Sequence, residues 1–481
     1  GHMPNMPFGF SMPGDDSSSS GASGGNGPNP GAFDLGQLGS MFSQLGQMMS
    51  QAGAAGQSGP VNYEMARQLA ASQVPPAHPV SSVDLRAIQD AVALAEVWLD
   101  GVTAFPLGAT TVTAWTPREW IDRTMPLWQR LCSPIAERVS AAWVESLPEA
   151  ARQQAGPLLA MMGSMGGMAF GSQLGQGLAG LATEVFSSTD IGMPLGPAGT
   201  AALLPRAVAE FSTSLGLDEA EVRLYLAARE AAHHRLFAHA PWLQARIVDL
   251  ITAYASAITV DFSAIEELAG TIDPSNPASI EAALGKGMFE PTINPDQQRA
   301  LGTLETLLAL IEGWVDTVVD AAVADRLPSS GALHETMRRR RATGGPAEQT
   351  FATLIGLQLR PRQLRSASTL WRGLGESRGI EGRDSLWADP DLLPSTADLD
   401  DPDGFVQRDR EFAALLATAG DWELPVDDAD DEGPAAASPQ ADDTGADDTE
   451  AGTVANDTAV DDTDTGEAGN DRPSSPDPGE H

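Results

Sequence analysis

The sequence predicts a mainly α protein, α-helical with at most a small β-sheet, on three observations. From Val61 to Val406 apolar residues recur at the three- and four-residue steps of amphipathic helices, in several separated stretches. Strand signals are confined to three short runs, Thr110 to Ala114, Thr200 to Leu204 and Ile258 to Phe262. No repeat of fixed period is present, which excludes a solenoid. The elements follow in chain order. Ser81 to Asp100 reads as a helix with Ser82 as its N-cap, and Glu119 to Leu147 as another. Gln153 to Thr183 is a run of 31 uncharged residues. Its eight glycines and four glutamines are wrong for a membrane span, which would be dominated by Leu, Ile, Val and Phe. Gly163, Gly167, Gly171 and Gly175 fall every fourth residue and let another backbone come close, so a tightly packed helix in a core is expected. Asp218 and Glu221 have the spacing of a capping box at the head of the next helix. Pro241 to Val260 continues the pattern, as does Pro291 to Ala324, where Asp296 after Pro295 is the expected cap.

Charge separates the ends from the middle. The chain holds 66 acidic and 28 basic residues, a formal net charge of −38. From Leu424 onward there are 18 Asp/Glu and one basic residue, Arg472, so this tail carries −17 and the other 423 residues −21. That balance excludes nucleic-acid binding as the main function, because phosphate recognition needs clustered Lys and Arg. Residues 424–481 repeat Asp-Asp-Thr and are expected to be a disordered acidic tail. Residues 1–60 are rich in Gly, Ser, Pro, Asn and Gln and are likewise expected to be disordered. Within 33–51, Leu35, Leu38, Met41, Phe42, Leu45, Met48 and Met49 recur at helical spacing. This short amphipathic helix either folds back on the core or docks into a partner's groove. Residues 61–410 are the expected helical domain. One local zone runs against the overall charge: Gly331 to Arg383 has ten Arg against four Glu, including Arg338 to Arg341. It reads as an ion-paired patch in preference to an anion clamp or a dock for the acidic tail. The single Cys132 excludes an intrachain disulfide and reads as core. No signal peptide is read, and a cytoplasmic protein is expected.

The chemistry gathers in one helix. His233, His234 and His239 lie on it, and Val222, Tyr225, Leu226, Arg229, His233, Leu236 and Phe237 share its core-facing stripe. Arg229 and His233 are therefore one turn apart, with Glu230 beside them. This is the geometry of His-Glu-x-x-His, in which two histidines bind zinc and the glutamate activates its water. Here the first position is arginine, in Arg229-Glu230-Ala231-Ala232-His233. Alone, such a string is more often a salt bridge or a satisfied core histidine. Gly285-Lys286-Gly287 lacks the spacing of a phosphate loop, and no Ser/His/Asp triad has local support.

The surrounding blocks add to this string: Ala240-Pro-Trp-Leu243, then Leu308-Ala-Leu-Ile-Glu-Gly-Trp-Val-Asp-Thr-Val-Val-Asp320. Gly356-Leu-Gln-Leu-Arg-Pro-Arg362, Arg383-Asp-Ser-Leu-Trp387 and Asp389-Pro-Asp-Leu-Leu-Pro394 follow. In order and spacing these resemble the actinobacterial zincin-like metallopeptidase family, which includes a branch associated with deazaflavin-cofactor biosynthesis. The resemblance covers roughly Val61 to Val406. It implies that Glu230 stands at the general base, His233 at the second histidine ligand and Glu312 at a downstream glutamate ligand. Arg229 replaces the first histidine, and Trp314 replaces the histidine of the family's Glu-Gly-His-Ala-Asp block. Arginine stays protonated and has no lone pair to give a metal.

Three functions compete. A metal-free zincin scaffold, a pseudo-protease, would use Arg229 as the charge that replaces zinc, in a bidentate pair with Glu312 and near Glu230 and His233. It needs no cofactor and would act on a protein or peptide partner, with the old substrate cleft kept as a groove. A working zinc hydrolase would recruit His234 or His239; His234 points about 100° away from His233, while His239 lies beyond the expected helix end. Trp314 and Asp316 are further cleft candidates. A regulatory protein acting through its tails is the third.

Overall fold

A computed structural model of the chain describes residues 59–146, 156–257, 294–342 and 363–420, together with Glu149 and Gln153. The chain divides into two units, Gly1–Asp421 and Trp422–His481, and every described residue belongs to the first. The helix expected within 33–51, the acidic tail, the run Ile258 to Phe262, Lys286 and the block Gly356 to Arg362 lie outside the described residues.

The mainly helical class holds. Helices α1 (Tyr63–Gln73) and α2 (Ser82–Asp100) precede β1 (Thr111–Ala114). Then come α3 (Pro117–Ser146), α4 (Gly156–Glu184) and β2 (Thr200–Leu203). After these follow α5 (Pro205–Leu215), α6 (Glu219–His239), α7 (Trp242–Ser256), α8 (Pro295–Val323) and α9 (Ser330–Ala342). The described chain ends with α10 (Leu364–Asp384), α11 (Thr396–Asp400) and α12 (Pro402–Ala419). The two strands pair in parallel, from Thr111 opposite Thr200 to Ala114 opposite Leu203. A parallel pair needs a long crossover, and α3 and α4 supply it.

Three helix starts differ from the sequence reading. Ser81, not Ser82, caps α2, its side chain accepting from the Asp84 amide at 3.1 Å. Helix α8 is capped by Asn294, not Asp296. The Asn294 side chain accepts from the Gln297 amide at 2.9 Å, and Gln297 returns an acceptor to the Asn294 amide at 3.1 Å. Asp296 sits instead in the first turn, where a negative charge favours the helix dipole. At α6, Asp218 is the N-cap but makes no side-chain cap bond. Glu221 is drawn into tertiary structure, accepting from the backbone and the hydroxyl of Ser329 at the head of α9.

The glycine stripe does its expected work over part of its length. A Cβ on Gly171 would lie 2.6 Å from the Asn62 carbonyl oxygen, and one on Gly175 2.8 Å from that of Ala66, so α1 lies on the bare backbone of α4. Gly163 meets nothing within 4 Å and takes no part. Among the described residues no helix is long and apolar enough to cross a membrane.

Helix α6 is the centre of the body. It packs on α2, α5, α8 and β2, and every residue from Tyr225 to Leu236 is buried. The sequence reading of one apolar stripe on α6 is therefore too narrow, because this helix has no solvent face over that span. Helix α8 is enclosed in the same way from Leu307 to Asp316. Two of the quoted blocks meet behind it, where Trp242 Nε1 donates to the Trp387 carbonyl at 2.7 Å and Trp387 stacks on Trp371 at 5.2 Å.

Candidate functional site

Enclosure sets the problem that the site solves. Arg229, Glu230, His233, His234 and Arg235 all lie in the buried span of α6, and a buried charge is tolerated only when it is paired and hydrogen-bonded. Helical spacing sends these side chains in different directions, so each meets a different neighbour.

Toward α8, Arg229 donates from Nη2 to Glu312 at 2.7 Å and from Nη1 to Asp316 at 2.7 Å. The expected bidentate pair with Glu312 is therefore corrected. The planar fork is shared between two carboxylates one turn apart, which is the reach that the i, i+4 spacing on α8 provides. His233 donates from Nδ1 to the Arg229 carbonyl at 2.8 Å and sets Nε2 against Glu312 Oε1 at 3.2 Å. Arg341 from α9 approaches the same Glu312 oxygen at 3.3 Å. Burial alone would push the Glu312 carboxyl up, but Arg341, Arg229 and His233 hold it well below the usual carboxylate range. Arg229 is held even more firmly protonated than usual, because Glu312 and Asp316 outweigh the effect of burial.

Glu230 does not belong to that cluster. It faces the segment between α4 and β2, where it accepts from the Ser188 hydroxyl and from the Thr189 hydroxyl at 2.6 Å. The amides of Thr189 and Ala202 donate to it at 3.2 and 3.0 Å, and His234 Nε2 lies 3.1 Å away. These contacts overcome the upward push of burial and bring its pKa to about 2. A general base must have a free oxygen for a proton, and both oxygens here are committed. His234 serves this carboxylate and the Ser188 hydroxyl at 3.2 Å. It is on the side of α6 away from His233, as its 100° offset implies.

Other expected positions fall elsewhere. His239 is the last residue of α6 and is not in a following loop; its Nε2 lies 3.1 Å from the Pro106 carbonyl and its ring stacks on Phe105. Trp314 is fully buried core, donating from Nε1 to Asp384 at 2.8 Å. Asp316 is the one further candidate that joins the cluster. The residues Arg229, Glu230, His233 and Glu312 are exposed by 6%, 0%, 2% and 1%, so among the described residues they line no open groove.

What closes the site was missed in the sequence. Val185 to Leu195 forms a buried loop, apart from a half-buried Asp190. Its Ser188 and Thr189 hold Glu230, and its Asp190 and Ile191 carbonyls accept from Arg341 at 3.1 and 3.5 Å. Gly192, with φ +107°, lets this loop turn against the cluster; a Cβ there would lie 3.2 Å from Arg341 Nη2 and 3.5 Å from Glu312 Oε1. The polar run Ser187-Ser188-Thr189-Asp190 straight after the glycine-rich helix was the available signal. The ion-paired reading of the arginine run is what the geometry shows for Arg340. Its Nη1 donates to both carboxylate oxygens of Asp190 at 2.8 and 3.0 Å, and the guanidinium lies over the Phe186 ring at 4.1 Å.

Zinc, implied by the family resemblance, does not fit this donor set. Both ring nitrogens of His233 face oxygen acceptors, and both oxygens of Glu312 face cations. A guanidinium stands where a further ligand would be needed, and a catalytic zinc needs three protein donors. Among the described residues no three His, Cys, Asp or Glu side chains are arranged to hold a metal.

Known proteins place the fold. A family model described as zincin-like metallopeptidase matches residues 61–406. No curated protein matches the chain. Among solved structures, a candidate hydrolase with a novel fold from Chloroflexus aurantiacus is similar at a TM-score of 0.52 and 20% identity. The match covers 72% of this chain and 98% of that one, and at this identity it speaks for the fold alone.

Proposed function

The chain belongs to the zincin-like metallopeptidase family over residues 61–406, and from that premise we propose that it is a pseudo-protease, a metal-free zincin scaffold that binds a protein or peptide partner. The observation that carries this reading is the fork of Arg229 onto Glu312 and Asp316. A fixed guanidinium supplies the positive charge to the carboxylates that a zinc site would use, with no lone pair and no exchangeable position. The condition of Glu230 supports it further. With its pKa at about 2 and its oxygens filled, this glutamate has neither the basicity nor the access to activate water near neutral pH. The scaffold keeps the fold of the family and gives up the reaction. Partner binding then falls to surfaces away from the closed cluster.

The test is metal analysis of the full chain purified without chelator, paired with a peptidase assay of the parent and of Glu230→Gln. No stoichiometric zinc and no difference between the two proteins is the expected outcome. One tightly held zinc per chain, lost together with a hydrolytic activity on His233→Ala, would establish the opposite reading, a working zinc hydrolase with an unusual ligand set.

A further inference from the structure

On the α2 side of α6 the body opens into a cleft of about 550 Å³, a size typical of small-molecule sites. Its walls are largely apolar, with Val92, Val97, Leu107 and Val112 among them, and Glu96, Asp100 and Arg235 are its charged residues. It shares no residue with the Arg229 cluster.

The charges are unevenly used. Arg235 is 1% exposed, and its guanidinium is turned inward. It donates to Glu96 Oε2 at 2.9 and 2.6 Å, to the Glu96 carbonyl at 2.9 Å, to the Phe105 carbonyl at 2.8 Å and to Asp100 at 2.8 Å. A guanidinium has five N–H groups, and these bonds leave little to offer an anion. Glu96 is the reverse case. It is 6% exposed, and while Oε2 is taken by Arg235, the buried Oε1 has no hydrogen-bond partner among the described residues. An unfilled carboxylate oxygen in such a place is costly unless something supplies a donor. One cation against two carboxylates leaves the lining with a formal charge of 1 − 2 = −1. At the rim, Val97 and Leu107 stand 65% and 55% exposed, so large apolar side chains frame the entrance.

We propose that this cleft binds a small organic ammonium ion with an apolar body, whose charged N–H groups meet the Glu96 and Asp100 carboxylates of the lining while its hydrocarbon part lies along Val92, Val97, Leu107 and Val112. A positive charge is what the lining lacks, and an apolar body is what the walls accept. A neutral donor would not supply the charge, and an anion would meet two carboxylates with Arg235 already committed.

The experiment is calorimetric titration of the full chain with 2-phenylethylammonium chloride, and with 2-phenylethanol as the uncharged counterpart. Saturable binding of one ammonium per chain is expected, with the alcohol weaker by about tenfold or more, the scale of a charge-assisted hydrogen bond. Glu96→Gln should weaken the ammonium by a similar factor. Because that change also touches the Arg235 pair and can disturb folding, Ala93→Trp is the second variant. Ala93 lines the cleft from an exposed position, so the indole fills the cleft without entering the core. It should abolish binding and leave the melting temperature unchanged. The proposal is overturned by absence of saturable ammonium binding, by equal binding of the alcohol, or by ammonium binding that survives Ala93→Trp. None of these outcomes depends on whether the chain holds zinc.

Discussion

Glu312 and Glu230 are both buried carboxylates at the heart of the body, and both are held below the usual range, but by different means. Glu312 on α8 is neutralised by charge, with Arg229, Arg341 and His233 against its two oxygens. Glu230 on α6 is held first by the His234 imidazole, with two hydroxyls and two backbone amides beside it. The first arrangement is a buried cluster in which guanidinium groups balance carboxylates. The second is a structural bolt that pins the Ser188–Thr189 loop and β2 to α6. One motif therefore contributed to two separate sites, and the neighbours around α6 set what each residue does.

Cutting the charged site should have the largest effect. Arg229→Met leaves Asp316 and one side of Glu312 buried without their cation, and should cost about 3–5 kcal/mol in denaturant unfolding. Adding Asp316→Leu should restore much of that loss, since removing both partners leaves less unpaired charge. A single-variant cost below about 1 kcal/mol would mean that the cluster is not held by charge. Acid should then act on the Glu230 site. The folded pKa of Glu230, about 2, lies below its ordinary 4.5, so the stabilisation is complete above roughly pH 4.5 and is lost as pH falls toward 2. The part due to Glu230 is on the order of 3 kcal/mol, and Glu312 adds in the same direction because it too is depressed. Glu230→Gln should lower stability at neutral pH and flatten this acid-side slope. An unchanged slope in that variant would refute the assignment. The smallest effect is expected from Thr189→Val, which deletes the hydroxyl 2.6 Å from Glu230 and keeps the shape and the backbone amide. It should cost about 1–2 kcal/mol, a bond to a charged group partly covered by the remaining donors. No change in melting temperature would show that the hydroxyl is redundant.

The fold and the site were legible to different depths. Periodicity alone brought out α2, α3, α7 and α8, because an amphipathic face is written into the spacing of its apolar residues. The Arg229–His233 pairing was legible too, being one turn of one helix. What spacing could not carry was enclosure. A helix buried on all sides, with ionisable residues in its centre, has no polar face to announce itself, and α6 read as one-sided for that reason. Caps were misplaced at α2 and α8, where Ser82 and Asp296 are by type as good as the true caps Ser81 and Asn294, and the capping box expected at α6 gave way to the Glu221–Ser329 contact. Arg341 was noticed only as part of a basic run, because its partner Glu312 is remote in sequence and only the packing of α9 brings them together.

By itself the sequence determined the helical class, the family and the one-turn spacing of Arg229 and His233. These depend on residue identity and on contacts within one turn. Only the tertiary structure decided that Glu230 faces a loop and not the cluster, that Asp316 and Arg341 complete the charge balance, and that the site is closed. Those outcomes depend on what fills the space around a buried helix. A buried charge takes the partner that lies closest in space, at whatever distance along the chain.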